Sequence, residues 1–297
     1  MFADEIVSRA AKAKAELYAR APGFSEGPTW RNGDLFFCSR GLRRVSPDRT
    51  VTRYLDLNPA GTCLLQGGRL LVCDNKHDAL LQVAPGGRVG VLADRWNGRP
   101  LGLLNDLTVD GAGNVYWTSP RSYDPQKPDG NVFRLTPSGR VDRIATVRAF
   151  PNGIEVDPAN RYLYLVESSK NRLLRYDLPA ATQPTLGPAT VFFKYKTLGD
   201  GLAFDAHGNL WTPEFLGGEV ICISPAGLRL VGVKVPAKSI SNLTFGGLRR
   251  DTLFVTTGMP DGVFRVPVGV PGFAGHPGAA RYPVRRYLSI RPASPTR

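Results

Sequence analysis

Four oxygen-bearing side chains recur in one register along the 297-residue chain: Glu26, Asn105, Asn152 and Asp200. Each is followed by a Gly or an Asp and heads a short apolar run, as in Glu26-Gly27, Asn152-Gly153 and Asp200-Gly201. Two carboxylates and two carboxamides brought to one point would make a hard, oxygen-rich environment of charge about −2. Ca²⁺ accepts roughly six to eight such oxygens with tolerant geometry, and Mg²⁺ or Mn²⁺ would be held with waters completing the shell. No Cys or His stands in the same register to favour a softer metal. Asn and Asp at strand heads also fix turns by bonding local backbone. Glu26 is a poor turn residue, so turn chemistry alone does not account for all four.

The elements that must bring these side chains together are read from a repeat. The stretches Asn105–Trp117, Asn152–Tyr164 and Asp200–Trp211 share a polar head, an apolar strand, a turn with Asp and Asn, and an aromatic strand. Weaker copies begin at Glu26, Gly61 and Asn242. Each unit runs on to a third strand and a Pro- or Gly-bearing reversal, as at Val132–Gly139 and Val220–Gly227, and most add a fourth strand. Six units of about 40 to 48 residues with four strands each predict an all-β, six-bladed β-propeller. A sandwich rarely needs so many strands in one frame, and a β-helix would have a shorter period. The propeller spans residues 22–290, with Tyr282–Leu288 as the outer strand of blade six. A short N-terminal helix occupies the 1–21 extension, over residues 4–20 behind Asp4, and 291–297 is a frayed basic tail. The innermost strand of each blade lines the central channel, so the four heads would face its mouth.

Composition limits the other readings. Gly 33 and Pro 25 are spread along the chain, as many tight turns require. The net charge of +13 is dispersed as single residues and pairs such as Arg43-Arg44 and Arg285-Arg286, which reads as a solvated surface and not a specific nucleic-acid footprint. Cys38, Cys63, Cys73 and Cys222 show no C-x-x-C pairing and are read as core thiols in a reducing compartment. No run approaches a membrane span, and the first residues lack a secretion signal. The expectation is a cytoplasmic monomer or weak homo-oligomer with no membrane partner.

The motifs, in order, are Ser25-Glu-Gly-Pro-Thr-Trp30, Leu104-Asn-Asp-Leu-Thr-Val-Asp110, Phe150-Pro-Asn-Gly-Ile154, Gly199-Asp-Gly-Leu-Ala-Phe-Asp205 and Asn242-Leu-Thr-Phe-Gly-Gly247. This set resembles the gluconolactonase, regucalcin (senescence marker protein) and strictosidine-synthase-like superfamily of six-bladed propellers. The resemblance implies hydrolysis of a lactone or related ester. It implies one divalent cation, usually calcium and sometimes zinc or another ion, held by residues that map onto Glu26, Asn105, Asn152 and Asp200. It also gives Asp200 the role of activating water. Relatives acting on sugar lactones often carry an Arg two residues before the blade-three Asn, where this chain has Leu103. That departure favours a more apolar substrate. Where many relatives have Thr-Asp, Thr118-Ser119-Pro120 makes a second structural calcium site less expected.

Further polar groups are candidates for the mouth. Asp106 is a second carboxylate, or a group orienting Asn105. His77 could exchange a proton near neutrality or serve its loop. Glu214 could reach the site or be exposed, and Arg121 and Tyr123 lie in a Pro120–Gly130 insertion that could form a lid. Two other functions stay open at this point. One is a metal-assisted isomerase, hydratase or condensing enzyme on the same site; the other is a non-enzymatic calcium-binding propeller scaffold.

Overall fold

Short apolar runs rich in Val, Ile and Tyr, closed by Asp, Asn and Gly turns, give antiparallel meanders. The computed structural model describes residues 2–121, 130–147, 149–180, 182–278 and 281–290, and in it these meanders form the six blades of a propeller. Blade one comprises Glu26–Arg31, Asp34–Cys38, Leu42–Val45 and Val51–Leu55. Blade two begins at Pro59–Leu64, blade three at Leu107–Val109, blade four at Pro151–Val156, blade five at Ala203–Phe204 and blade six at Ser239–Gly246. These innermost strands carry the candidate site.

Both chain ends differ from the expectation. The helix covers only Phe2–Ala10, and Glu16–Arg20 is a strand paired antiparallel to Gly262–Pro267. That N-terminal strand, and not Tyr282–Leu288, is the outer strand of blade six. The Ala-rich composition of residues 10–19 favours helix locally. The open edge of Gly262–Pro267 offers a full row of backbone partners, and Glu16 pairs with Arg265 at 2.6 Å, so tertiary pairing overrides propensity. The C-terminal strand Arg286–Leu288 instead adds a fifth strand to blade two, beside Val89–Ala93. Gly90 makes room there, since a Cβ would lie 2.8 Å from the Val284 side chain. Residues 291–297 lie outside the described residues.

The blades pack face to face through large apolar side chains. Trp211 of blade five meets Phe245 of blade six edge-on at 6.1 Å, and within blade three Trp117 stacks on its cross-strand neighbour Phe133 at 5.3 Å. The aspartate in the turn of each strong repeat locks this arrangement. Asp205 accepts bonds from the His207 and Asn209 backbone N–H groups and from the Asn209 side chain, and its Oδ2 accepts the Trp211 indole N–H at 3.0 Å. Asp110 holds Asn114 and the Tyr116 hydroxyl in the same way. The shared frame of the repeat is therefore partly a structural clip. Asp205→Ala leaves several buried donors unpaired, and we expect a loss of about 3 kcal/mol, read as a lower urea midpoint at unchanged slope.

Candidate functional site

Glycine lets the strand heads converge. A Cβ on Gly153 would lie 2.1 Å from the Asp200 carbonyl oxygen, and one on Gly201 would lie 2.1 Å from the Asn242 carboxamide. Gly153 thus lies against the Asp200 backbone and Gly201 against the Asn242 side chain, approaches that a side chain at either position would block. We expect Gly153→Ala to move Asp200 away from Asn152, with about 2 kcal/mol of destabilisation and loss of whatever the site does. Thermal melting and any site-dependent assay check this together.

Three of the heads are joined in a chain of bonds. The Asn105 amide donates to Asn152 Oδ1 at 2.9 Å, and the Asn152 amide donates to Ser168 Oγ at 3.1 Å. The Ser168 hydroxyl donates in turn to the Gly199 carbonyl at 2.7 Å, fixing the residue before Asp200. Asn152 also bonds the Asp200 carboxylate, and Glu26 Oε2 accepts the Gly27 N–H at 3.0 Å. On the far side Asn242 bonds both Glu26 and Asp106, while its own oxygen accepts the Leu243 N–H at 2.8 Å. Asn242 thereby lowers the cost of both buried carboxyls.

Three carboxyls meet here without a cationic partner among the described residues. Burial, and next the charge of Asp106, push Glu26 up to about 8. Burial raises Asp106 to about 7. Asp200 is pushed well above the ordinary aspartate range by burial, then by Glu26 and Asp106. A site that strains against its own negative charge, and whose donors are all oxygen, is matched to a hard cation. Among the described residues no three Asp, Glu, His or Cys side chains form a metal cluster by themselves. The fit depends on the two carboxamides. A cation held by both would take the Asn152 oxygen in place of the Asn105 amide.

A cavity of about 590 Å³ opens over these heads. Glu26, Asn105, Asn152 and Asp200 form its base, and Leu103, Phe150, Leu198, Phe215 and Phe24 supply apolar walls. Phe150, which lines the cavity with Asn152, holds φ +40°, a left-handed conformation costing a bulky residue about 1–3 kcal/mol. The other predicted residues have different settings. Asp106 lies further along the same strands, lining a second cavity of about 120 Å³ with Glu155. His77 does not line the larger cavity; its Nδ1 lies 2.5 Å from Asp74, which also accepts its backbone N–H. Glu214 is buried and does not line the cavity, accepting the Lys196 and Thr197 N–H groups. Arg121 is exposed and away from the lining, and Tyr123 lies outside the described residues. Ser168, Asn242 and Arg40 escaped the sequence reading. Only Asn242 carried a signal, as the head of the sixth repeat.

Residues 24–259 match the profile of the SMP-30/Gluconolactonase/LRE-like region. The chain belongs to this family. A gluconolactonase of Zymomonas mobilis is 28% identical over 281 residues, covering 81% of this chain and 78% of that protein. The structure of a Xanthomonas campestris gluconolactonase, XC5397, superposes with a TM-score of 0.78 at 25% identity, over 90% of this chain and 92% of that one. A calcium-binding protein, regucalcin, from Agrobacterium tumefaciens shares the fold at a TM-score of 0.76 and 21% identity, over 91% and 98% of the two chains. At family level the chain is a lactonase-type hydrolase. All four cysteines are free thiols, and no helix among the described residues is long and apolar enough to cross a membrane.

Proposed function

We infer that the protein hydrolyses a lactone with an apolar substituent, using one divalent cation of the calcium class held by Glu26, Asn105, Asn152 and Asp200. The observation that carries this reading is the convergence of two buried carboxyls and two carboxamides, without a cationic side chain, at the base of an apolar-walled cavity. Such an ion supplies Lewis-acid polarisation of a carbonyl and stabilises the negative charge that develops on it. The remaining work falls to the chain's own groups. Asp200 accepts the proton of the attacking water as the new C–O bond forms, and returns it to the ring oxygen as the lactone C–O bond breaks. The Ser168 bond to the Gly199 carbonyl and the Asn152 bond to the carboxylate keep Asp200 turned toward the base of the cavity. The apolar walls exclude competing water and favour a substituent without hydroxyls, in keeping with Leu103 at a position where sugar-lactone relatives place an Arg.

A panel of γ- and δ-lactones bearing alkyl, aryl or sugar-like substituents tests the reading. We expect turnover of the apolar members, lost on chelation. Absence of turnover for every lactone in calcium-loaded protein would move a metal-assisted isomerase or hydratase ahead.

A further inference from the structure

We propose that the substrate's apolar substituent ends in an anionic group, and that Arg40 recognises it at the rim of the cavity. The proposal rests on the lactonase reading and names the substrate class of that same site. Among the described residues lining the cavity Arg40 is the sole lysine or arginine, and its side chain makes no hydrogen bond or ion pair with another described residue. Other arginines of the first blade are engaged: the half-buried Arg44 with Asp34 at 2.8 Å, Arg53 with Asp56, and Arg49 over the Tyr18 ring.

The backbone that carries Arg40 is held in place. Arg43 donates to the Ser39 carbonyl at 2.8 Å and to the Arg40 carbonyl at 3.0 Å, clamping a backbone with φ +44°. The Ser39 hydroxyl donates to the Gly23 carbonyl at 2.8 Å, tying this turn to the segment that carries Phe24. A Cβ on Gly23 would lie 3.0 Å from Arg40 Nε, so the glycine gives the guanidinium room to lie across that segment. A planar fork with open donors suits a carboxylate, sulfonate or phosphate. With the lactone carbonyl taken at the base, the guanidinium at the rim would set the substrate's orientation: lactone carbonyl down, anion at the rim. Between them Phe24 and Phe215, with centroids 6.2 Å apart, offer faces to an aryl or alkyl spacer.

The test uses pairs of lactones that share one aryl or alkyl spacer and end in either a carboxylate or the neutral carboxamide. Calcium-loaded wild type, Arg40→Gln and Arg40→Lys are assayed for kcat/KM, with melting temperatures as a folding control. We expect wild type to prefer the carboxylate by about fivefold or more. The preference should shrink with added salt, vanish in Arg40→Gln and survive in part in Arg40→Lys. If both members of a pair are turned over with equal efficiency by wild type, or the preference survives Arg40→Gln, this inference is overturned while the lactonase reading stands. If neither member is turned over but other lactones are, the substrate class is wrong. If no lactone is turned over at all, the lactonase reading falls and this one with it.

Discussion

Asp200→Asn is expected to lower kcat for lactone hydrolysis by about 10³-fold without lowering thermal stability. The amide matches the carboxyl in size but cannot take a proton from water. Its effect on folding has the opposite sign from that of most buried substitutions. Asp200 is buried beside Glu26 and Asp106, which already push its carboxyl toward the neutral form. Removing one charge from that group relieves repulsion, so the metal-free variant should melt at or above the wild-type temperature. Steady-state kinetics and a melt of the same preparation read both effects. A kcat within tenfold of wild type would remove Asp200 from the role of base. A collapse in melting temperature would make the kinetic loss uninformative about its chemistry, and Asp200→Glu, which keeps the carboxyl, would then decide by whether any turnover returns.

The second large effect couples protons, cation and stability. In the folded protein Glu26 is held at about 8, against an ordinary value of 4.5, and Glu155 is raised to about 8 by burial in the adjoining part of the channel. Asp106 shifts the same way, to about 7. Between these values and the ordinary carboxyl range the folded chain binds protons that the unfolded chain has released. Stability from these groups is therefore complete below about pH 4.5 and is lost as pH rises through about 8. Metal-free protein should melt lower at pH 8.5 than at pH 5, by a shift on the order of 10 °C. Calcium should restore the melting temperature at pH 8.5 and do little at pH 5, because the ion must displace protons to bind. Glu26→Gln should flatten the metal-free profile and weaken the calcium effect. A metal-free profile that is flat or rises between pH 5 and 8.5 would contradict the electrostatic account of the channel.

Much of this site was legible because a propeller converts sequence register into radial position. Asn105, Asn152 and Asp200 occupy one place in the repeat, so aligning the repeats was equivalent to placing them on one axis. Glu26 joined them through a weaker copy, and its poor fit to a turn was the informative signal. What stayed hidden depended on partners far away in sequence. The ring is closed by Glu16–Arg20, whose strand character comes from an edge about 245 residues away and not from its own Ala-rich pattern. The terminal strand Arg286–Leu288 found blade two by the same kind of non-local pairing. His77 reads as a proton-exchange candidate and Glu214 as a group that could reach the site, because a carboxylate or imidazole looks the same in sequence whether it faces a cavity or satisfies backbone N–H groups. Their bonds to Asp74, Lys196 and Thr197 show local structural work. Arg40 gave no sequence signal, since among 38 lysines and arginines nothing distinguishes the one that stands at the rim.

The most direct test of the central claim is the rate of lactone hydrolysis by chelator-treated protein as calcium is titrated back at pH 8. The account predicts negligible activity without the ion, and recovery that saturates at one calcium per chain. In Glu26→Gln the midpoint should move to about 100-fold higher calcium, the loss expected when one charged oxygen ligand becomes neutral. Full activity in protein shown by elemental analysis to hold no metal would contradict it.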